Sequence, residues 1–158
     1  MNDTSTSAGL IEHSLVDLDL DSHAGDKDAA IRHLVSLAHA AGRVDDVELL
    51  LADVRAREAQ MPTGLDGGIG IPHARSAAVR VPTLVFGRSN AGIDFGAADG
   101  PARIIFLIAA PDDGDSQHLT LLAALARRLV HESFREALVN ADDPEDVVAL
   151  IKNEVENR

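Results

Sequence analysis

Two uninterrupted apolar runs of strand length constrain the fold of this chain more than any other feature of its sequence. They span residues 82–87 and 103–109, and the second reads Arg-Ile-Ile-Phe-Leu-Ile-Ala. An apolar run without alternation is typical of a strand that is covered on both faces. Each run is far shorter than the roughly 20 residues that a membrane helix needs. The two runs therefore predict the centre of a buried sheet.

Helical patterns precede and follow these runs. Apolar residues recur at helical spacing in 28–41, 45–58, 116–130, 132–139 and 144–155. Asp45 with Glu48 resembles a capping box, and Asp143 precedes a proline at a first helical position. In the third segment the spacing predicts a buried stripe of Leu119, Leu122, Ala123, Ala126, Leu129 and Val130. The alternation that begins at Val16 in segment 15–20 predicts a half-buried edge strand. Together the patterns predict an α/β fold with helices on a mostly buried sheet.

The length of 158 residues fits one domain. Residues 1–9 are small and polar, and we expect them to form a disordered tail before a domain spanning 10–158. The N-terminus lacks a basic segment followed by an apolar one, so a secretory signal is not supported and the cytoplasm is the expected location.

Composition excludes several classes of function. The chain carries 26 acidic and 14 basic residues, for a net charge of -12, and it contains no Trp, Tyr or Cys. A nucleic-acid binder would need a basic surface and stacking aromatic rings. Without cysteine there are no disulfides, thiolate zinc sites or cysteine nucleophiles. No H-E-x-x-H motif is present, and residue spacing assembles no other zinc site, so neither a metal nor a cofactor is expected.

A glycine-rich segment, with four glycines between Gly64 and Gly70, invites comparison with a phosphate-binding loop. It contains neither G-x-G-x-x-G nor G-K-[ST], and it leads into an apolar extended segment instead of opening a helix. Nucleotide binding is therefore not expected. The alternative is a tight turn with a glycine bulge.

His73 is the candidate nucleophile among seven histidines. Pro72 stiffens the backbone before it, the glycine-rich segment precedes it, and Arg75 follows two residues later. Arg55 and Arg57 lie at the end of the preceding helix. This combination predicts an anion site built around His73.

His118 is the second candidate, because it lies in the first turn of a predicted helix, where free N–H groups favour an anion. An exposed residue without a role is the alternative, and the sequence favours that alternative slightly. The other histidines are best explained as solvated surface side chains: His13, His23, His33, His39 and His131.

Two parts of the chain together resemble the fructose/mannitol-type enzyme IIA of the phosphoenolpyruvate-dependent sugar phosphotransferase system. The first runs from Arg57 through Thr63, Gly64 and the glycine-rich segment to Ile71-Pro72-His73, and the second is the later Gln117-His118-Leu119. The resemblance covers residues from about 10 to 151, and its spelling is closest to the fructose-specific type. It implies a mixed β-sheet flanked by helices in a single domain.

The resemblance also implies a mechanism and partners. The histidine matching His73 would take a phosphoryl group from the phosphohistidine of the carrier protein HPr and pass it to a cysteine of enzyme IIB, which serves a IIC permease. Arg57 would contact the phosphoryl group, His118 would assist, and Arg75 could help. By family analogy the phosphorylated nitrogen would be Nε2. The alternative is a nitrogen-type regulatory IIA, which uses the same histidine but signals through protein binding.

Overall fold

The computed structural model describes residues 9–113 and 117–156, and among these the side chains of residues 9–113 and 120–155. The predicted tail therefore lies almost wholly outside the described residues. The strands are β1 (Val16–Asp17), β2 (Gly64–Leu65), β3 (Ile69–Gly70), β4 (His73–Ser76), β5 (Thr83–Ile93) and β6 (Ala102–Pro111). The α-helices are α1 (Lys27–Ala40), α2 (Val47–Gln60), α3 (Gln117–Leu129), α4 (Glu132–Asn140) and α5 (Pro144–Ile151).

These strands form one mixed sheet in the order β1-β5-β6-β3-β2, and β4 pairs with the same side of β6 as β3 does. Strands β5 and β6 are antiparallel, whereas β1 runs parallel to β5 and β4 runs parallel to β6. The predicted buried runs are these central strands: Thr83–Gly87 and Ile104–Ala110 are buried throughout. The mixed sheet and flanking helices confirm the predicted fold class.

The helix starts follow from capping chemistry. The carboxylates of Asp26 and Asp46 accept from the backbone N–H groups of Ala29 and Leu49, at 2.9 and 3.1 Å. Asp143 caps α5 in the same way, as predicted. The cap of α2 is thus Asp46, and the prediction of Asp45 was wrong by one residue. Helix α2 also continues to Gln60, two residues beyond the predicted end.

Two further sequence predictions needed correction. The predicted edge strand 15–20 is reduced to β1, because 3-10 turns at His13–Leu15 and Leu20–Ser22 flank it. The buried face of α3 includes Leu121, Leu125 and Leu129, whereas Ala123 and Val130, placed in the predicted stripe, are exposed. No helix within the described residues is both long enough and apolar enough to cross a membrane.

Candidate active site

His73 is the first residue of β4 and pairs with Ile108 of the central strand β6. The amide of Ile108 donates to the carbonyl of Pro72 at 3.0 Å, which fixes the backbone immediately before the imidazole. The side chain is half-buried. The candidate nucleophile His73 therefore lies on a short strand whose position is set by the most deeply buried strand of the fold.

One hydrogen bond orients the His73 ring. Its Nδ1 lies 2.9 Å from the backbone carbonyl oxygen of Ile71. A carbonyl oxygen can only accept, so Nδ1 must carry the proton in this contact. In the neutral ring the lone pair is then on Nε2. Nε2 is the nitrogen that the geometry leaves available for attack on an electrophile.

The glycines before His73 serve close backbone packing and a tight turn. A Cβ on Gly64 would lie 2.6 Å from the carbonyl oxygen of Phe95, and a Cβ on Gly70 would lie 2.7 Å from the Phe95 ring. Gly67 and Gly68 have φ angles of 102° and 78° in the turn between β2 and β3. The segment is a tight hairpin turn, as the alternative to nucleotide binding predicted.

A buried carboxylate, for which the sequence predicted no role, holds this loop. Glu58 is 5% exposed, and its oxygens accept from both the backbone N–H and the hydroxyl of Thr63, each at 2.8 Å. Lys27 Nζ lies 3.3 Å from the same carboxylate. The carbonyl of Thr63 accepts from the N–H of Ile71 at 3.2 Å. Hydrogen bonds thus connect Glu58, through Thr63 and Ile71, to the ring of His73.

The two arginines at the end of α2 have different surroundings. Arg55 forms a bidentate pair with Asp28, with distances of 2.6 and 2.7 Å. This pair lowers the pKa of Asp28 and raises that of Arg55. Arg57 donates from Nη1 to the carbonyl of Met61 at 3.1 Å and forms no ion pair with the described residues. Of the two, Arg57 keeps donors for an anion, on a helix that packs against β4.

Arg75 lies two residues after His73 on the same strand and is exposed. Because strand side chains alternate between faces, positions 73 and 75 belong to the same face of β4. The strand therefore presents an imidazole and a guanidinium on one surface.

The side chain of His118 lies outside the description, but its backbone position is given by helix α3. One turn later, Leu122 lines a small apolar cavity together with His73, Ala74 and Ile108. Residues four apart share one face of a helix. The face of α3 that contacts the His73 region thus includes position 118.

One of the histidines predicted to be solvated is half-buried. His13, His23, His39 and His131 are exposed, as predicted. His33 is half-buried, and its ring stacks on that of His23 while both rings contact Asp17. Residues 17, 23 and 33 have no motif spacing, so no local signal in the sequence marked this cluster.

An α/β domain that presents an imidazole with an available Nε2 beside an arginine fits group transfer through a histidine. Residues 10–154 match the family described as "Phosphoenolpyruvate-dependent sugar phosphotransferase system, EIIA 2", and the chain belongs to this family. It is therefore a phosphotransferase of the EIIA kind, which works through a phosphohistidine intermediate. This confirms the family recognised in the sequence.

Relatives of known name support the same assignment. The chain is 43% identical over 140 residues to the PTS system fructose-specific EIIA component of Haloferax volcanii, covering 88% of this chain and 91% of the relative. It is 33% identical over 143 residues to the PTS system fructose-specific EIIABC component of Bacillus subtilis, covering 90% of this chain but only 22% of that longer protein.

Solved structures share the fold. The nitrogen regulatory protein IIA-Ntr of Neisseria meningitidis superposes with a TM-score of 0.77 at 31% identity, covering 90% of this chain and 96% of its own. The mannitol IIA of Escherichia coli superposes with a TM-score of 0.75 at 26% identity, covering 89% and 98%.

Proposed function

We propose that this chain is the IIA component of a fructose phosphotransferase system, that it accepts a phosphoryl group from phospho-HPr on Nε2 of His73, and that it passes the group to a cysteine of an enzyme IIB in the cytoplasm. The observation that carries the proposal is the contact between His73 Nδ1 and the carbonyl of Ile71 at 2.9 Å, because it leaves the lone pair on Nε2. The site belongs to a chain whose family transfers phosphoryl groups.

The transfer balances without a metal. The Nε2 lone pair of His73 forms a bond to phosphorus while the N–P bond of phospho-HPr breaks, and the HPr imidazole leaves with that electron pair. The proton on Nδ1 stays in its bond to the Ile71 carbonyl. In the second step a IIB thiolate attacks phosphorus, and His73 leaves as a neutral imidazole. Retention of the Nδ1 proton makes this second leaving group better than an imidazolate anion.

Arg57 and His118 are proposed to stabilise the phosphoryl oxygens. A guanidinium matches the geometry of phosphate through charge-assisted bonds, and Arg57 has no competing carboxylate among the described residues. His118 lies in the first turn of the helix whose next turn reaches the cavity beside His73. Donors placed where charge develops act on the transition state. Arg75, on the same face as His73, would add positive charge.

Fructose is proposed as the sugar because of the relatives' names. Two of them, from Haloferax volcanii and Bacillus subtilis, are called fructose-specific, and the first is nearly the same length as this chain. The EIIABC name of the second also supports a IIC partner and a IIB partner, and this chain would need the latter as phosphoryl acceptor because it contains no cysteine.

Phosphate mapping tests the proposal. The chain is incubated with phosphoenolpyruvate, enzyme I and HPr, and the acid-labile phosphate is located by mass spectrometry under alkaline conditions. We expect phosphate on His73, with a ³¹P NMR shift typical of the Nε2 isomer, and none when HPr is omitted. Phosphate on another histidine, or the Nδ1 isomer at His73, would contradict the assignment.

A nitrogen-type regulatory IIA is the second candidate, supported by the superposition on IIA-Ntr. It would use the same histidine, so phosphate mapping does not separate the two. The two candidates are distinguished by measuring phosphoryl transfer from the phosphorylated chain to a purified fructose IIB. We expect rapid loss of phosphate from His73 and its appearance on the IIB cysteine, whereas a regulatory IIA would retain its phosphate.

A further inference from the structure

Three side chains from three different elements converge at the edge of the sheet formed by β1. Asp17 ends this strand, His23 follows the 3-10 turn Leu20–Ser22, and His33 lies in α1. His23 Nδ1 and His33 Nε2 lie 2.9 and 2.8 Å from the same atom, Asp17 Oδ2. The two rings stack with centroids 4.4 Å apart and planes 7° from parallel. Two imidazole nitrogens therefore converge on one carboxylate oxygen.

The cluster is held in place from outside. The other carboxylate oxygen of Asp17, Oδ1, accepts from the backbone N–H of Asp19 at 2.8 Å, so Oδ2 is directed at the rings. The side chain of Asp17 is 11% exposed and that of His33 is 22% exposed, whereas that of His23 is 50% exposed. Two of the three groups are thus largely withdrawn from water, and His23 forms the open side.

We propose that Asp17, His23 and His33 form a binding site for a divalent transition metal ion, with Zn²⁺ as the representative ion. The three ligand atoms, one from each residue, lie within 4.8 Å of one another. A tetrahedral zinc site with bonds of about 2.0–2.1 Å needs ligand atoms roughly 3.4 Å apart. Because the two ring planes are nearly parallel, a shared ion requires the His23 ring to turn out of the stack, and the half-exposed position of this side chain allows that rotation. Water completes the coordination on the open side.

The chemistry of the ligands suits this ion. Imidazole and carboxylate together are a common set for zinc, and the hard cations Mg²⁺ and Ca²⁺ prefer oxygen alone. In the present contacts both ligating nitrogens carry a proton that points at Asp17. Metal binding moves each proton to the other ring nitrogen, so two neutral histidines exchange tautomer without releasing a proton. The net charge of -12 favours the capture of a cation.

The site would stabilise the fold without acting on phosphoryl transfer. It ties the edge strand β1 and the following turn to helix α1. Two strands, β5 and β6, separate β1 from β4, which at about 4.8 Å per strand spacing places the two edges roughly 14 Å apart. We expect Zn²⁺ bound here to raise the thermal unfolding midpoint and to leave the phosphorylation of His73 unchanged.

Calorimetric titration of the EDTA-treated full chain with ZnCl₂ tests the proposal. We expect one high-affinity ion per chain, and an affinity about tenfold weaker or more in His33→Gln and in Asp17→Asn. The matched control is His39→Gln, an exposed histidine on the same helix that should bind Zn²⁺ like the parent chain. Equal affinities in His33→Gln and His39→Gln would overturn the proposal, as would the absence of binding in the parent chain.

A second measurement avoids any variant that fails to fold. In ¹H–¹⁵N spectra of the histidine rings of the parent chain, stoichiometric Zn²⁺ should shift Nδ1 of His23 and Nε2 of His33 and reverse both tautomers. Rings that keep their tautomers while other histidines respond would place the metal elsewhere and overturn the assignment.

Discussion

The two edges of the sheet use histidine in opposite ways. At the β4 edge a single imidazole, His73, is bonded through Nδ1 to a backbone carbonyl. At the β1 edge two imidazoles, His23 and His33, are bonded to one carboxylate, Asp17. The carbonyl partner fixes a tautomer and contributes no net charge. The carboxylate partner contributes a negative charge that a cation can share.

The different hydrogen-bond partners suit His73 to act as a nucleophile and suit His23 and His33 to act as metal ligands. A nucleophilic imidazole needs one nitrogen free and the other held, which the Ile71 carbonyl achieves at His73. A carboxylate at that place would attract a cation and repel the phosphoryl oxygens. Arg75 instead lies on the same face of β4 as His73, and the carboxylate of Asp28 beside α2 is already paired with Arg55.

The largest difference in phosphorylation is expected between two exchanges of histidine for glutamine, one at each edge of the sheet. His73→Gln should abolish phosphorylation by phospho-HPr, because the amide nitrogen of glutamine has no free lone pair with which to attack phosphorus. His33→Gln should accept a full equivalent of phosphate at the rate of the parent chain, because its cluster lies at the other edge. The measurement is the rate of ³²P incorporation. Substantial labelling of His73→Gln would remove the distinction between the edges.

Substitution of His118 is expected to have the next largest effect on the rate of phosphoryl transfer. We expect His118→Ala to keep the fold, because alanine favours helix, and to slow transfer by about 30- to 1000-fold, the cost of about 2–4 kcal/mol for one transition-state donor. His118→Gln keeps an N–H donor and should recover part of the loss. Rapid-quench rates with phospho-HPr and with IIB measure both steps. Parental rates in His118→Ala would return this residue to the alternative of an exposed position without a role.

The arginine pair supplies a matched comparison. Arg57→Lys keeps the charge and loses the planar fork, and it should slow transfer about 10- to 100-fold. Arg55→Lys should leave the transfer rate nearly unchanged, because Arg55 is occupied by Asp28. Transfer rates for both variants, at equal ionic strength, decide whether guanidinium geometry matters. Equal effects would indicate that only general positive charge is needed.

How far the sequence predicted the fold depended on how sharply each pattern discriminates. The run 103–109 is apolar at every position after Arg103, and it forms the central part of β6. Helix α3 is apolar on most of its surface, so hydrophobic spacing alone did not select Leu121 and Leu125 as buried positions. Strand β1 is short because the turns around it are stabilised by contacts such as Asp19 N–H to Asp17, which alternation does not encode.

The residues of the candidate site likewise differ in how well the sequence predicted them. His73 and Arg57 could be proposed from the sequence because the family motif is contiguous around the glycine-rich segment. The role of Glu58 was missed although it lies inside that motif, because a buried carboxylate is recognised only once its donors are known. The cluster of His23 and His33 was missed because its members come from separate elements.

A smaller effect, on the stability of the fold, is expected where Thr63 donates to Glu58 and holds the glycine-rich segment. Thr63→Val keeps the shape and the backbone N–H but removes the hydroxyl that donates to buried Glu58, at a cost of about 1–3 kcal/mol in the free energy of unfolding. Thr63→Ser should restore most of it. The control is Thr120→Val, at an exposed position of α3. Urea unfolding measures all three, and equal values for Thr63→Val and Thr120→Val would show that the hydroxyl contributes nothing.

The smallest effect concerns a carboxylate at the β1 edge. Asp21 is exposed, accepts from the backbone N–H groups of Asn90 and Ala91 at 2.9 and 3.0 Å, and also accepts from the hydroxyl of buried Ser89. The bond from Ser89, followed by that from Ala91, lowers the pKa of Asp21 below its ordinary value of 3.8. We expect Asp21→Ala to destabilise the chain by about 1 kcal/mol at pH 7.

The pH dependence of that loss identifies its origin. Because the folded pKa of Asp21 lies below the unfolded one, the ionised group stabilises the fold fully above about pH 4, and this contribution disappears as the pH falls through the folded value. The difference in unfolding free energy between Asp21→Ala and the parent chain should therefore shrink between pH 5 and pH 2. Asp142→Ala, an exposed aspartate outside these contacts, should show no such difference at either pH. A loss at Asp21 that persists undiminished in acid would assign the effect to the shape of the turn and not to the charge of its carboxylate.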